Sequence, residues 1–220
     1  MKKIKTLFPK NPNNLRLVIN DDPIIDLESE DTEFYIKMDG QACAIINGQL
    51  YTRYDAKLFK KKRGKIVKKF TIDKIKEKLP DGAIACQEPD EKSGHYPHWI
   101  PIDKNNKTHQ YIIEGFENSL KIFGKMEDGT YEIVGPKFTN NKHKLEKHYL
   151  LPHKHRFINV TDKIDKQKMI ENPYEYFKEF LNNLQYEGLV IYQNGEPVAK
   201  IRRSDYGIDI DEYENMLERI

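Results

Sequence analysis

The sequence predicts an α+β protein built from packed antiparallel sheets with a few covering helices. Three observations carry that expectation. Short apolar runs of strand length recur along the chain, separated by turn-forming residues. Two of the separators, Asn47-Gly48 and Asn194-Gly195, are hairpin signals, because both central positions of such a turn need positive φ. One segment has a clear helical pattern and a matching start, with Asn172 as N-cap and Pro173 in the first turn.

Taken in order, residues 15–19 alternate as a half-buried strand should, and Asp21-Asp22-Pro23 marks a turn. Residues 34–36 and 42–46 read as strands on either side of a tight turn at Asp39-Gly40. Asn47-Gly48 then leads into a strand at 50–54. Ile72, Ile75 and Leu79 recur at helical spacing, and Pro80 closes that short helix. Residues 83–86, 110–113, 120–123 and 131–134 read as further strands. In the helix after Asn172, the residues Phe177, Phe180, Leu181 and Leu184 share one face. A last hairpin joins residues 189–192 to 198–201.

Composition narrows the class. Charged residues make up 33% of the chain but cancel to a net +2, so a nucleic-acid partner would be held by a local basic face rather than by bulk charge. Cys43 and Cys86 fall on apolar strand-like segments and read as reduced core residues. No apolar run approaches the roughly 20 residues that span a bilayer. The basic start Met1-Lys2-Lys3-Ile4-Lys5 leads into no apolar signal core. The expectation is a protein without a membrane partner that stays in the cytoplasm or elsewhere inside the cell.

Three segments carry chemistry. Lys37-Met38-Asp39-Gly40 places a lysine at a strand end, followed by a turn. An unperturbed lysine has a pKa of about 10.4, so a nucleophilic one needs burial or neighbouring positive charge to shed its proton. Gly40 would allow the sharp turn and Asp39 would hold it by a local hydrogen bond. Glu187-Gly188-Leu189-Val190 sets a carboxylate at the mouth of a strand, a hard oxygen ligand suited to Mg²⁺. In Lys200-Ile201-Arg202 the strand period of two sends both cations to one face and Ile201 to the core. Arg203 points the other way. Such a face can grip an α-phosphate as pyrophosphate leaves.

Other features are weaker. Residues 57–69 hold eight cations, and Lys60, Lys61, Lys62 and Arg63 at their centre are candidate nucleic-acid contacts. The aromatic residues between Gly94 and Trp99 suit either a base-stacking platform or the core. His143, His148, His153 and His155 match no standard zinc spacing.

Lys37-Met38-Asp39-Gly40, Glu187-Gly188-Leu189-Val190 and Lys200-Ile201-Arg202-Arg203 together resemble motifs I, IV and V of the covalent nucleotidyltransferases, the polynucleotide ligases and RNA capping enzymes. Arg53-Tyr54-Asp55-Ala56-Lys57, the segment from Gly94 to Pro101, Tyr131-Glu132-Ile133-Val134-Gly135-Pro136 and Arg202-Arg203-Ser204-Asp205-Tyr206-Gly207 sharpen this. With them the chain resembles the small ATP-dependent 5′-3′ RNA ligase family, which has vertebrate, viral and microbial members. The resemblance runs from about residue 30 to 208.

It implies a nucleotidyltransferase fold akin to ATP-grasp ligases; with 220 residues and no dividing linker, the expectation is a single adenylyltransferase (ligase) domain over residues 1–220, without an OB-fold. It implies an ATP-dependent RNA ligase of RNA repair, with Mg²⁺ or Mn²⁺ as cofactor, RNA 5′-phosphate and 3′-hydroxyl ends as substrates, and a monomeric state. Lys37 would form the lysyl-AMP. Asp39, Gly40, Arg53, Glu132, Glu187, Lys200 and Arg202 would contact the nucleotide, with Lys200 and Arg202 also catalytic and Glu187 on the metal. Glu114, in Ile112-Ile113-Glu114-Gly115-Phe116, competes with Glu132 for the ribose-binding role. Apolar Ile36, just before the nucleophile, suggests that main-chain groups read the base. A DNA or nick ligase, and a degenerate RNA-binding member of the superfamily, are the alternatives.

Overall fold

Two asparagine-glycine pairs turn the chain back on itself. Asn47 and Gly48 have φ of 51° and 71°, and Asn194 and Gly195 have φ of 50° and 76°, the paired positive angles of a tight hairpin turn. A computed structural model describes residues 4–62, 65–90, 93–210 and 212–214. In chain order its strands are β1 Lys10–Asn11, β2 Asn14–Val18, β3 Glu33–Lys37, β4 Gln41–Ile46, β5 Gln49–Lys57, β6 Phe59–Lys62 and β7 Lys65–Lys69. They continue with β8 Ile84–Ala85, β9 His95–Pro101, β10 Gly129–Val134, β11 Tyr149–Pro152, β12 Gly188–Gln193 and β13 Glu196–Arg202. The helices are α1 Ile72–Lys76, α2 Lys107–Phe123, α3 Lys166–Glu171 and α4 Pro173–Asn183. The described chain is thus a mixed helix and sheet protein, and all pairings between these named strands are antiparallel.

The chain folds into two compact units. The first comprises Gly40–Phe138 and Glu146–Lys154. The second holds the described chain up to Asp39, Thr139–Leu145, and the described residues from His155 on.

In the first unit six strands form a sheet in the order β11-β10-β4-β5-β9-β8, and β6 and β7 pair separately. The core under it gathers Cys43, Ile45, Ile112, Tyr131, Ile133, Phe138 and Leu150. Helix α2 corrects the sequence reading. Residues 110–113 and 120–123, expected as two strands, belong to this one 17-residue helix. The Ile112-Ile113 pair favours a strand locally, but Ile112, Gly115 and Ser119 recur at helical spacing and are all buried. Asn106 caps its start by accepting from the Thr108 N–H at 2.9 Å. A Cβ at Gly115 would lie 2.3 Å from Ile133 Cδ1, so the glycine lets the helix settle onto the sheet. Ser119 Oγ then accepts from the Leu150 N–H at 2.8 Å.

In the second unit β3, β12 and β13 form a three-stranded sheet with β12 in the middle. Its register decides the site. Ile36, Leu189 and Ile201 form one cross-strand row, and Phe34, Ile191 and Ala199 another; all six are buried. Helix α4 begins at Asn172 and Pro173 as the sequence indicates. It buries Phe177 and Leu181, while Phe180 stays half-buried. The Phe177 ring centroid lies 5.8 Å from that of Phe34 and 6.4 Å from that of Phe8. Cys43 and Cys86 are both free thiols. Among the described residues no helix is long and apolar enough to cross a membrane.

Candidate active site

The face of the three-stranded sheet opposite its apolar rows carries the charged residues. Lys37, Gly188 and Arg202 lie across from one another in register, and Tyr35, Val190 and Lys200 form the next row. Residues opposed across antiparallel strands point the same way. Lys37, Lys200 and Arg202 therefore share one face, although Lys37 is more than 160 residues from the other two. Gly188 sits between two long cationic side chains. A Cβ there would fall 2.2 Å from Ile201 O and 2.7 Å from Arg202 Cα, so the position admits only glycine without the strands shifting.

Glu187 immediately precedes β12, and its carboxylate pairs with the Lys37 ammonium. Both side chains are largely shielded, with 20% and 15% of their surface exposed, which makes this more than an ordinary surface pair. The Lys37 ammonium also donates to its neighbour's carbonyl, Met38 O, at 2.9 Å. Lys200 is held along the edge of the sheet, where its N–H donates to Lys5 O at 2.9 Å and its carbonyl accepts from Leu7 N–H at 2.8 Å.

Arg202 is committed more tightly than the sequence suggests. Its guanidinium forks onto Asp205, with Nη2 to Oδ1 at 2.8 Å and Nε to Oδ2 at 3.3 Å. Asp205 is fully buried, accepts the Arg202 N–H as well, and pairs with Lys10. Burial pushes the Asp205 carboxyl up, but the hydrogen bonds and charges of Arg202 and Lys10 outweigh it and hold the group below the usual range. Burial likewise lowers Arg202, and Asp205, together with the charges of Glu187 and Asp39, more than reverses it, so the guanidinium stays charged.

Arg203 turns away from this face into the protein. Its Nη1 donates to the carbonyls of Leu181 and Leu184, and to Asn182 O at 3.3 Å, capping the C-terminal end of α4. These bonds tie its side chain to the helix end and away from the charged face.

Asp39 stabilises the turn in two ways. Its carbonyl accepts from Thr139 Oγ1 at 2.9 Å, and its Oδ2 accepts from the Tyr213 hydroxyl at 3.1 Å. Tyr213 is a site residue that sequence reasoning misses. Burial raises its phenol well above the ordinary value, and the charges of Asp39 and Glu187 add to that effect. Both carboxylates therefore bear on one buried hydroxyl. The one available signal is a single aromatic in an otherwise acidic segment, Asp211-Glu212-Tyr213-Glu214. Asp205 and Lys10 escape sequence reasoning as well. Asp205 stands in view two residues past Arg203, but nothing in the sequence ties it to Lys10.

Gly40, Glu132 and Arg53 belong to the first unit. Gly40 has no positive φ, so the expected conformational reason for glycine is replaced by a steric one. A Cβ at Gly40 would come 2.2 Å from Ile133 O and 2.8 Å from Glu132 Cγ. Its N–H donates to Glu132 Oε1 at 3.1 Å, and Glu132 Oε2 lies 3.1 Å from His153 Nε2. Glu114, the competitor of Glu132, sits on α2 and engages His148 Nδ1 at 2.8 Å. Arg53 donates to Asp55 Oδ1 at 3.2 Å and lies over the Trp99 ring, 5.7 Å from its centroid. Tyr96, His98 and Trp99 are buried, so these rings build the core of β9 and form no open platform.

Of the basic candidates, Lys60 is exposed on the β6–β7 hairpin, opposite Lys68. Arg63 and the side chains of Lys61 and Lys62 lie outside the described residues. No group of three or more His, Cys, Asp or Glu gathers in metal-binding geometry among the described residues. No protein-family model matches the chain, and no curated protein matches it either.

Proposed function

We propose that the protein is an ATP-dependent RNA ligase, joining RNA 5′-phosphate to 3′-hydroxyl ends through a lysyl-AMP and an adenylylated RNA. The proposal includes the nucleotidyltransferase fold that the resemblance implies. One observation carries it. Within a single unit the strand register puts Lys37, Lys200 and Arg202 on one face, with the Glu187 carboxylate against Lys37. A core-building sheet has no need of three cations and a shielded carboxylate in one place, whereas phosphoryl transfer does.

The chemistry follows from these side chains. In the first step the neutral Lys37 amine attacks the α-phosphorus of ATP. A P–N bond forms, the P–O bond to pyrophosphate breaks, and the amine loses its proton. An ammonium paired with a carboxylate has no lone pair to offer, so the Lys37–Glu187 pair has to open before attack. Lys200 and Arg202 would neutralise charge on the transferring group, Arg202 from an orientation fixed by Asp205. In the later steps the RNA 5′-phosphate displaces the lysine, and the 3′-hydroxyl then displaces AMP.

The residues suit a divalent cation of the magnesium type. Mg²⁺ is usually held by one or two carboxylates with waters and substrate phosphates rather than by a protein cage. Glu187 is the carboxylate that would hold it, and Mg²⁺ or Mn²⁺ would supply charge neutralisation at the phosphates. RNA rather than DNA as substrate rests on the resemblance of Arg53-Tyr54-Asp55-Ala56-Lys57 and the later segments.

The test is sealing of matched RNA and DNA strands with a 5′-phosphate, in Mg²⁺ and ATP. RNA joined at least tenfold faster than DNA is the expected result; equal or faster DNA joining would make this a DNA ligase. Glu187→Ala should slow both self-adenylylation and sealing of pre-adenylylated RNA, whereas Lys200→Ala should mainly slow the first. Wild-type rates for both variants in both assays would remove these residues from the mechanism.

A further inference from the structure

The first unit holds a pocket of about 340 Å³ that none of the proposed transfer chemistry uses. Its walls come from β5, from Lys60 of β6, and from the segment between Phe70 and Leu79 that contains α1. Phe70, Ile75 and Leu79 give it an apolar lining, and Lys57, Lys60 and Lys78 also line it. Tyr54 also lines it and is 53% exposed. Among the described residues Tyr54 makes no ring contact, although its strand β5 pairs with the core strand β9.

Charge makes the pocket more specific. Among the described residues Lys57, Lys60 and Lys78 form no ion pair. Asp55, the one acidic group lining the pocket, is already engaged by Arg53 at 3.2 Å and His95 at 3.6 Å. Lys78 and one further cation, Lys68, each lie 5.0 Å from the Phe70 ring centroid, which leaves Tyr54 as the open ring. Residues 54–81 carry eleven Lys and Arg against Asp55, Asp73, Glu77 and Asp81. An apolar hollow, a bare aromatic ring and unpaired cations match one kind of ligand well. A base offers a flat face to stack, and the phosphates beside it need positive charge.

We infer that this pocket binds one unpaired nucleotide of a single-stranded nucleic acid, with its base stacked on Tyr54 and its flanking phosphates held by Lys57, Lys60 and Lys78. The site stands on its own geometry and does not require the transfer chemistry proposed for Lys37. A duplex keeps its bases stacked on each other and cannot offer a face to Tyr54.

The experiment measures binding of a fluorescent oligouridylate of about ten nucleotides by anisotropy, without ATP, so that failure of the ligase reading leaves the outcome intact. Tyr54→Ala should weaken binding about tenfold with an unchanged salt slope. Tyr54→Trp should restore it. Combining Lys57→Glu with Lys78→Glu should weaken binding and flatten its logarithmic salt slope by about 1.4. Tyr54 and both lysines lie at the surface, and circular dichroism checks that the variants stay folded. Unchanged affinity in Tyr54→Ala, equal affinity for duplex RNA of the same length, or equal displacement by a polyglutamate peptide would each overturn the inference, the last pointing to an acidic protein partner.

Discussion

Among the described residues two concentrations of positive charge are built in opposite ways. On the three-stranded sheet each of two principal cations has a shielded carboxylate partner, Lys37 with Glu187 and Arg202 with Asp205. On the β6–β7 hairpin the described lysines stand exposed, and Lys65, Lys68 and Lys69 form no ion pair among the described residues. The first arrangement fixes where a charge sits, because a buried carboxylate tolerates few orientations of its partner. The second fixes little but raises the local potential, which acts on any polyanion and fades with salt. Positioned charge suits chemistry on one phosphorus atom. Unpositioned charge suits holding a strand.

Mutations should separate the two. The largest stability effect is expected just behind the paired cluster, at Arg203. Arg203→Ala leaves the last carbonyls of α4 without their donor in a buried place and should cost about 3 kcal/mol, read by denaturant unfolding. Gly188→Ala should be next, at about 2 kcal/mol, because its Cβ would meet the β13 backbone and push the strands apart. A Gly188→Ala protein of wild-type stability would mean that the Lys37–Gly188–Arg202 row is looser than described.

Asp205→Asn should cost less at neutral pH and differ most in its pH profile. The Asp205 carboxyl is held below its unfolded value, so its contribution is present above the unfolded pKa of about 4 and is lost as pH falls through the folded one. Wild-type stability should therefore drop in the acid range more steeply than that of Asp205→Asn. Parallel profiles would mean that Arg202 and Lys10 contribute nothing through this group. At the small end, Lys65→Ala and Lys69→Ala should each change stability by less than about 0.5 kcal/mol. A larger loss from either would show that the hairpin lysines are positioned too.

Much of this contrast is legible in the residues themselves. The period of two in Lys200-Ile201-Arg202 separates the charged face from the core, and Ile201 is indeed fully buried. Both Asn-Gly turns and the Asn172 cap fall where local chemistry puts them. Helix α2 reads wrongly from short windows because its β-branched pair at Ile112-Ile113 speaks for a strand over four residues. Only the 17-residue window, with the small residues Gly115 and Ser119 on its buried face, reveals the helix. Asp205 belongs to a segment that carries the resemblance, yet its sequence surroundings suggest no role for it. Its partners Lys10 and Arg202 meet it only in three dimensions, and no local period connects residue 10 with residue 205. Tyr213 escapes for the same reason, since an acidic surrounding says nothing of a buried phenol bonded to Asp39.

The central claim is that the positioned cluster performs covalent nucleotide transfer at Lys37. Its most direct measurement is incubation with α-labelled ATP and Mg²⁺ followed by denaturing electrophoresis, for the wild-type protein and Lys37→Ala. The wild-type chain should retain the label as a phosphoramidate that survives denaturation, and Lys37→Ala, folded by circular dichroism, should retain none. A Lys37→Ala protein labelled to the wild-type level would place the nucleophile elsewhere, and a wild-type protein that takes no label from ATP would contradict the account.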